Sequence, residues 1–238
     1  MSDAFKTMRG SGGQTRAIVF RRGLDADGAA ELLDAVAAVR WSDLYHAYGP
    51  AADVAMQLRA VIVGDEGTRE EAWWNLFGNI HHQGTIYEAT VPAVPILLGL
   101  ADWVEYPDRA LALMMLREIA AADGVHVWRY GSKDELVTLV DDQRRLYPLL
   151  RAALRDGAAR LLDGWRDEEP AIRRALLWLL SALPELHERY AALVADVLPA
   201  RHRHAWELEV SGSAESESES DGDAIFALED WVHTGVER

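Results

Sequence analysis

Residues 73–98, WWNLFGNIHHQGTIYEATVPAVPILL, carry the fold-deciding pattern. They predict two helices, over about 68–82 and 88–104, joined by a short loop at Gln83, Gly84 and Thr85. A start signal precedes the first helix. In T-R-E-E, Thr68 can accept the Glu71 backbone N–H while the Glu71 carboxylate reaches back, which is a capping box. Ala72, Trp73, Leu76, Phe77 and Ile80 then recur at helical spacing and define a buried stripe. A second stripe, about 100° round the helix, holds Trp74, Gly78 and His81, with His82 beside it. Gly84 suits the helix end because it takes a left-handed backbone without penalty. In the second helix Pro92 fits the first turn, whereas Pro95 must bend the helix or delay its start.

Working outward, the same rhythm continues on both sides. Amphipathic helices are predicted over Asp25 to Trp41 and Ala51 to Val63, broken at Gly49-Pro50 and by the turn 64–67. Another follows Tyr106-Pro107-Asp108, built on Leu111, Met114, Met115, Leu116 and Ile119. Helical patterning returns through residues 136–155, 157–165, 176–183 and 190–198. Each helix is short and each break carries Gly, Pro or Asp, the pattern of stacked antiparallel helix hairpins. The expected class is all-α. Four segments are expected: a loose arm at 1–23, a helical-repeat domain at 24–206, an acidic disordered linker at 207–223, and a short amphipathic helix at 224–238. The arm has an apolar run at 17–20, where one short hairpin is the only sheet expected. The linker reads SGSAESESESDGD over 211–223, and deleting 207–238 is expected to leave the array folded.

The net charge is -15, and ten acids against one arginine in residues 207–238 account for -9 of it. Neither part has the positive excess of a nucleic-acid binder, so duplex DNA is disfavoured. There is no cysteine, which excludes disulfides, zinc–thiolate sites and thiol nucleophiles. The first residues lack an apolar signal core, and no apolar run approaches the ~20 residues that cross a bilayer. A cytoplasmic protein without a membrane segment is expected.

DEEPAIRRALLWLLSALPE, residues 167–185, resembles a HEAT repeat on Asp167, Pro170, Ile172, Arg173, Ala175, Leu176 and Leu180. Tyr106 to Ile119 is similar, with Pro107, Asp108 and Arg109 near the matching places. The block around residues 74–100 is similar to segments of HEAT-like proteins from high-GC bacteria. The resemblance spans about residues 50–200. It implies a HEAT-like α-solenoid that binds another protein, in the manner of an immunity or adaptor protein. Some HEAT-like proteins are DNA glycosylases, a lesser alternative here because of the charge and the lack of a matching catalytic pattern.

For chemistry, His81, His82 and Glu88 are the first candidates. Two imidazoles and a carboxylate can bind a metal or exchange protons. Adjacent histidines on a helix diverge by about 100°, however, and one at a helix C-terminus is also accounted for by the dipole. If the protein is an enzyme, His82 and Glu88 are the expected pair. Trp74 and His81 are candidate binding residues, as are Trp128, Arg129 and Tyr130 in the irregular loop 124–134. No metal or cofactor is expected, and the sequence has no P-loop, G-x-G-x-x-G, H-E-x-x-H or G-x-S-x-G. The expected partner is another protein.

Overall fold

The computed structural model describes residues 26–122, 133–211 and 219–235. These are mostly helical. Helix α1 (Ala26–Ala37) leads through a 3-10 turn to a hairpin of β1 (Tyr45–His46) and β2 (Gly49–Pro50). Helices α2 (Val54–Val63) and α3 (Glu66–Ile80) follow, then a second hairpin of β3 (His81–His82) and β4 (Thr85–Ile86). Next come α4 (Thr90–Asp102), α5 (Arg109–Ala120), the long α6 (Lys133–Asp163) and α7 (Pro170–Ser181). The chain closes with α8 (Ala191–Val197), α9 (Arg203–Ser211) and α10 (Glu219–Thr234).

The central pair differs from expectation at both ends of α3. The N-cap is Asp65, three residues ahead of Thr68, and its carboxylate accepts the Thr68 N–H at 2.9 Å. That bond holds the Asp65 carboxyl below its ordinary range. Asp outranks Thr as a cap because its carboxylate also meets the positive end of the helix dipole. At the far end the helix stops at Ile80, and His81 is extended at φ -140, ψ 110. Gln83 (φ 51) and Gly84 (φ 76) form the two-residue turn of the second hairpin. Both central residues need positive φ in such a turn, so Gly84 closes a hairpin and does not cap a helix. Thr90 fastens the hairpin: its hydroxyl donates to the Ile80 carbonyl at 2.5 Å and accepts the Tyr87 N–H at 2.8 Å. Helix α4 starts at Thr90 and is continuous through Pro95, so the proline does not delay its start. The two hairpins are more strand than was expected, and the arm 1–23 lies outside the described residues.

Apolar packing joins the helices: α2 packs on α3, α4 on both α5 and α6, and α5 on α7. Asn79 near the end of α3 bonds Gln57 in the first turn of α2, so these two run antiparallel. Helices α4 and α5 also pack on each other, and Arg109 at the start of α5 donates to the Ala101 carbonyl near the end of α4. Leu58, Leu76, Ile80, Leu97, Leu113, Leu116, Leu176 and Leu180 are all in one continuous core. Where α6 crosses α4, Gly157 lies against Leu98, and a Cβ there would run into the leucine side chain. Phe77 is only partly buried, contrary to the stripe reading, whereas polar Asn79 is buried.

The C-terminal expectation changes most. Of the stretch assigned to a linker over 207–223, residues 207–211 belong to α9 and residues 219–223 to α10. Residues 212–218 lie outside the described residues. Helix α10 packs on α7 and α9 and buries Leu228, Trp231 and Val232, while Phe226 stays exposed. His202 stacks on Trp231 at 5.4 Å, and Arg174 donates to the Val232 carbonyl. Arg174 is therefore packed partly under α10, and desolvation there lowers its pKa. Helix α10 thus covers part of the core. Deleting 207–238 would therefore expose core. Trp231→Ala is expected to cost about 3–5 kcal/mol in urea unfolding, and Phe226→Ala to stay within about 0.5 kcal/mol. Equal small losses would mean that α10 does not pack on the core.

Candidate functional site

A groove of about 960 Å³ runs between α3 and α5. Its position follows from one carboxylate. Asp108, just before α5, accepts from Arg69 Nε at 2.7 Å and from the Trp73 indole Nε1 at 3.2 Å. Donating to Asp108 raises the Arg69 pKa above its ordinary value. Burial, and then the nearby Asp108 charge, pushes the Tyr106 phenol up, and its hydroxyl donates to the Val61 carbonyl at 2.6 Å. Trp73 is thus turned into the protein, 3% exposed. The next residue on a helix points about 100° away, so Trp74 is turned out and is 82% exposed. Phe77, Leu111 and Met114 continue the apolar floor, and Glu66, Glu70 and Glu71 form an acidic rim along α3.

A second polar cluster lies at the far end of α3, where the two hairpins meet. His46 Nδ1 accepts the Tyr48 N–H at 2.9 Å, so the neutral ring carries its proton on Nε2 and donates it to Asp53 at 2.9 Å. The other Asp53 oxygen accepts from Gln57 at 2.9 Å and Asn79 at 3.0 Å. Both His46 nitrogens are therefore engaged, which makes it a structural histidine and not a general base. Tyr48 and His82 join the hairpins edge to face, with the hydroxyl 3.2 Å from His82 Nδ1. Tyr45 and Tyr48 are exposed, while burial pushes the neighbouring Tyr87 phenol up to about 12, with Tyr48 adding to the shift.

The sequence candidates are distributed among different places. Trp74 lines the groove. His81 and His82 lie on a strand, where successive side chains take opposite faces. The expected stripe of Trp74, Gly78 and His81 therefore ends with the helix. His82 is engaged by Tyr48, whereas the Glu88 carboxylate pairs with Arg145 at 3.1 Å. These two side chains serve different contacts and do not form an acid–base pair. Trp128, Arg129 and Tyr130 lie outside the described residues. Among the described residues no group of three or more His, Asp or Glu comes together as metal ligands, and no helix is long and apolar enough to cross a membrane.

Sequence reading missed the rim and the polar cluster. Glu66, Glu70 and Trp74 are spaced i, i+4, i+8, so an acidic–aromatic stripe was present in the sequence once α3 started at residue 66. Asn79 carried no such signal, because its partners Asp53 and Gln57 lie more than 20 residues away. No family model, curated protein or solved structure matches the chain.

The two tracts are expected to answer differently to truncation. Asn79→Ala leaves Asp53 and Gln57 short of a buried donor and is expected to cost about 1–3 kcal/mol. Trp74→Ala is expected to change stability by less than about 0.5 kcal/mol. Urea unfolding of both variants checks this; a large loss at Trp74 would give that side chain a structural role.

Proposed function

We propose that this chain is a protein-binding helical-repeat module, a HEAT-like α-solenoid that holds its partner in the groove beside Trp74. The observation that carries the proposal is Trp74 itself. A tryptophan left 82% exposed above an apolar floor is an unusual use of surface, and tryptophan is the side chain most enriched at binding hot spots.

Support for the repeat comes from three links of one kind. Arg69 of α3 reaches Asp108, Arg109 of α5 reaches Glu168, and Arg173 of α7 reaches Asp196. Each arginine sits in the first turns of its helix and each acid belongs to the following unit. Further contacts agree on direction: Arg117 of α5 lies over Trp178 of α7, and Glu88 before α4 pairs with Arg145 of α6. Stacking in parallel of hairpins α2–α3, α4–α5 and α6–α7 accounts for all of them, as in a solenoid. Asp108, Arg109 and Arg173 are among the residues that carry the HEAT resemblance. An immunity or adaptor protein is the kind of role such a module fills.

The enzyme alternative, with His82 and Glu88 as acid and base, has less support because Glu88 is paired with Arg145. A DNA glycosylase is opposed by the acidic rim, which repels phosphate.

The test uses tagged protein expressed in its native host, as wild type, Trp74→Ala and Met56→Ala, the last being an exposed control on α2. One partner in near-equal amount is expected with wild type and Met56→Ala and is expected to be lost with Trp74→Ala. Recovery that ignores Trp74, together with a turnover that His82→Ala abolishes in folded protein, would overturn the proposal.

A further inference from the structure

The rim and floor of the groove specify its occupant more closely. We infer that the groove takes an amphipathic helix of a partner protein, apolar on one face and flanked by lysine or arginine; this rests on the module reading above. Three observations meet here.

The first is charge. Glu66, Glu70 and Glu71 are exposed on α3 and form no ion pair with another described residue. The nearby cation offsets them only in part: Arg69 interacts with the Glu66 charge, but its guanidinium is engaged by Asp108 and by the Gly64 carbonyl. Three carboxylates beside an apolar floor attract a cationic ligand and repel an acidic one. The chain's net charge of -15 adds to that field and disfavours a second copy of itself as occupant.

The second is shape. On α3 the lining recurs at Glu66, Glu70, Trp74 and Phe77, spaced four, four and three residues apart. Opposite them Leu111 and Met114 sit three apart on α5. Two parallel ridges of this spacing leave a channel that matches the i, i+3, i+4, i+7 face of a third helix. The α3 wall from Glu66 to Phe77 is roughly 16 Å long, about three helical turns at 1.5 Å per residue.

The third is openness. A small-molecule site encloses most of its ligand's surface, whereas Trp74 stands largely in solvent. An uncovered indole beside a flexible methionine suits a broad partner face, because methionine repacks around differing side chains.

The experiment uses the full chain and three labelled 18-residue peptides without tryptophan. One is amphipathic with Leu at i, i+3, i+4 and i+7 and Lys elsewhere; one has Glu in place of Lys; one has the basic composition in scrambled order. Fluorescence anisotropy is expected to give a dissociation constant for the basic amphipathic peptide at least tenfold below both others. Trp74→Ala and the pair Glu70→Lys with Glu71→Lys are each expected to weaken it at least tenfold, with circular dichroism unchanged. Raising salt from 0.05 to 0.5 M is expected to weaken it too. Equal binding of the acidic or scrambled peptide, or binding indifferent to Trp74 and the glutamates, overturns the inference. So does a dimer in analytical ultracentrifugation that Trp74→Ala dissolves, which would give the groove to a second copy. If the native-host partner still requires Trp74 but ignores Glu70→Lys, the module reading stands and only the basic-helix occupant falls.

Discussion

Asp108 is the constraint on which the functional surface depends. It is a half-buried carboxylate that must satisfy its charge inside the protein, and it does so with one guanidinium and one indole from α3. Those bonds fix both the spacing of α3 against α5 and the rotation of α3 about its axis. With Trp73 turned to Asp108, helix geometry leaves Trp74 facing out. The groove is thus a consequence of how a partly buried charge is paired.

The same device recurs along the chain. Arg109 is almost wholly buried, pairs with both Glu168 oxygens at 2.8 and 3.0 Å, and donates its Nε to Ala101. Burying such a pair adds little net stability, because desolvation offsets most of the attraction. Its contribution is to register: an arginine fork can donate to both oxygens of a carboxylate in only a narrow range of positions. Apolar packing supplies the driving force for α5 against α7, and Arg109 selects one alignment among those the leucines would allow.

The helices were legible in the sequence because their signal is periodic. Trp73, Leu76 and Ile80 repeat along one face, and Leu176 and Leu180 do the same. The ends of α3 were misread for a local reason. Asp65 and Thr68 both offer capping oxygens, and His81-His82-Gln83-Gly84 suits either a helix stop or a tight hairpin. Only the pairing of His81 with Ile86 separates the two. Residues 219–223 look solvated by composition, yet they open a helix whose later residues Leu228, Trp231 and Val232 bury themselves against the core. Acidic composition opposed structure there, and three apolar side chains further along overrode it. Of the site, Trp74 was visible as an aromatic off the core stripe. The His46–Asp53–Asn79 cluster was not, since it depends on side chains that only tertiary packing brings together.

The measurement that bears most directly on the groove uses methionine methyls as reporters. Met114 lines the groove, Met115 is fully buried behind it, and Met56 is exposed on α2 away from the lining residues. Methyl NMR of the 13C-methionine-labelled full chain, titrated with a basic amphipathic peptide, reads the three at once. The account requires the Met114 resonance to move in a saturable way while Met56 stays in place. Movement of Met56 with Met114 unchanged would contradict it.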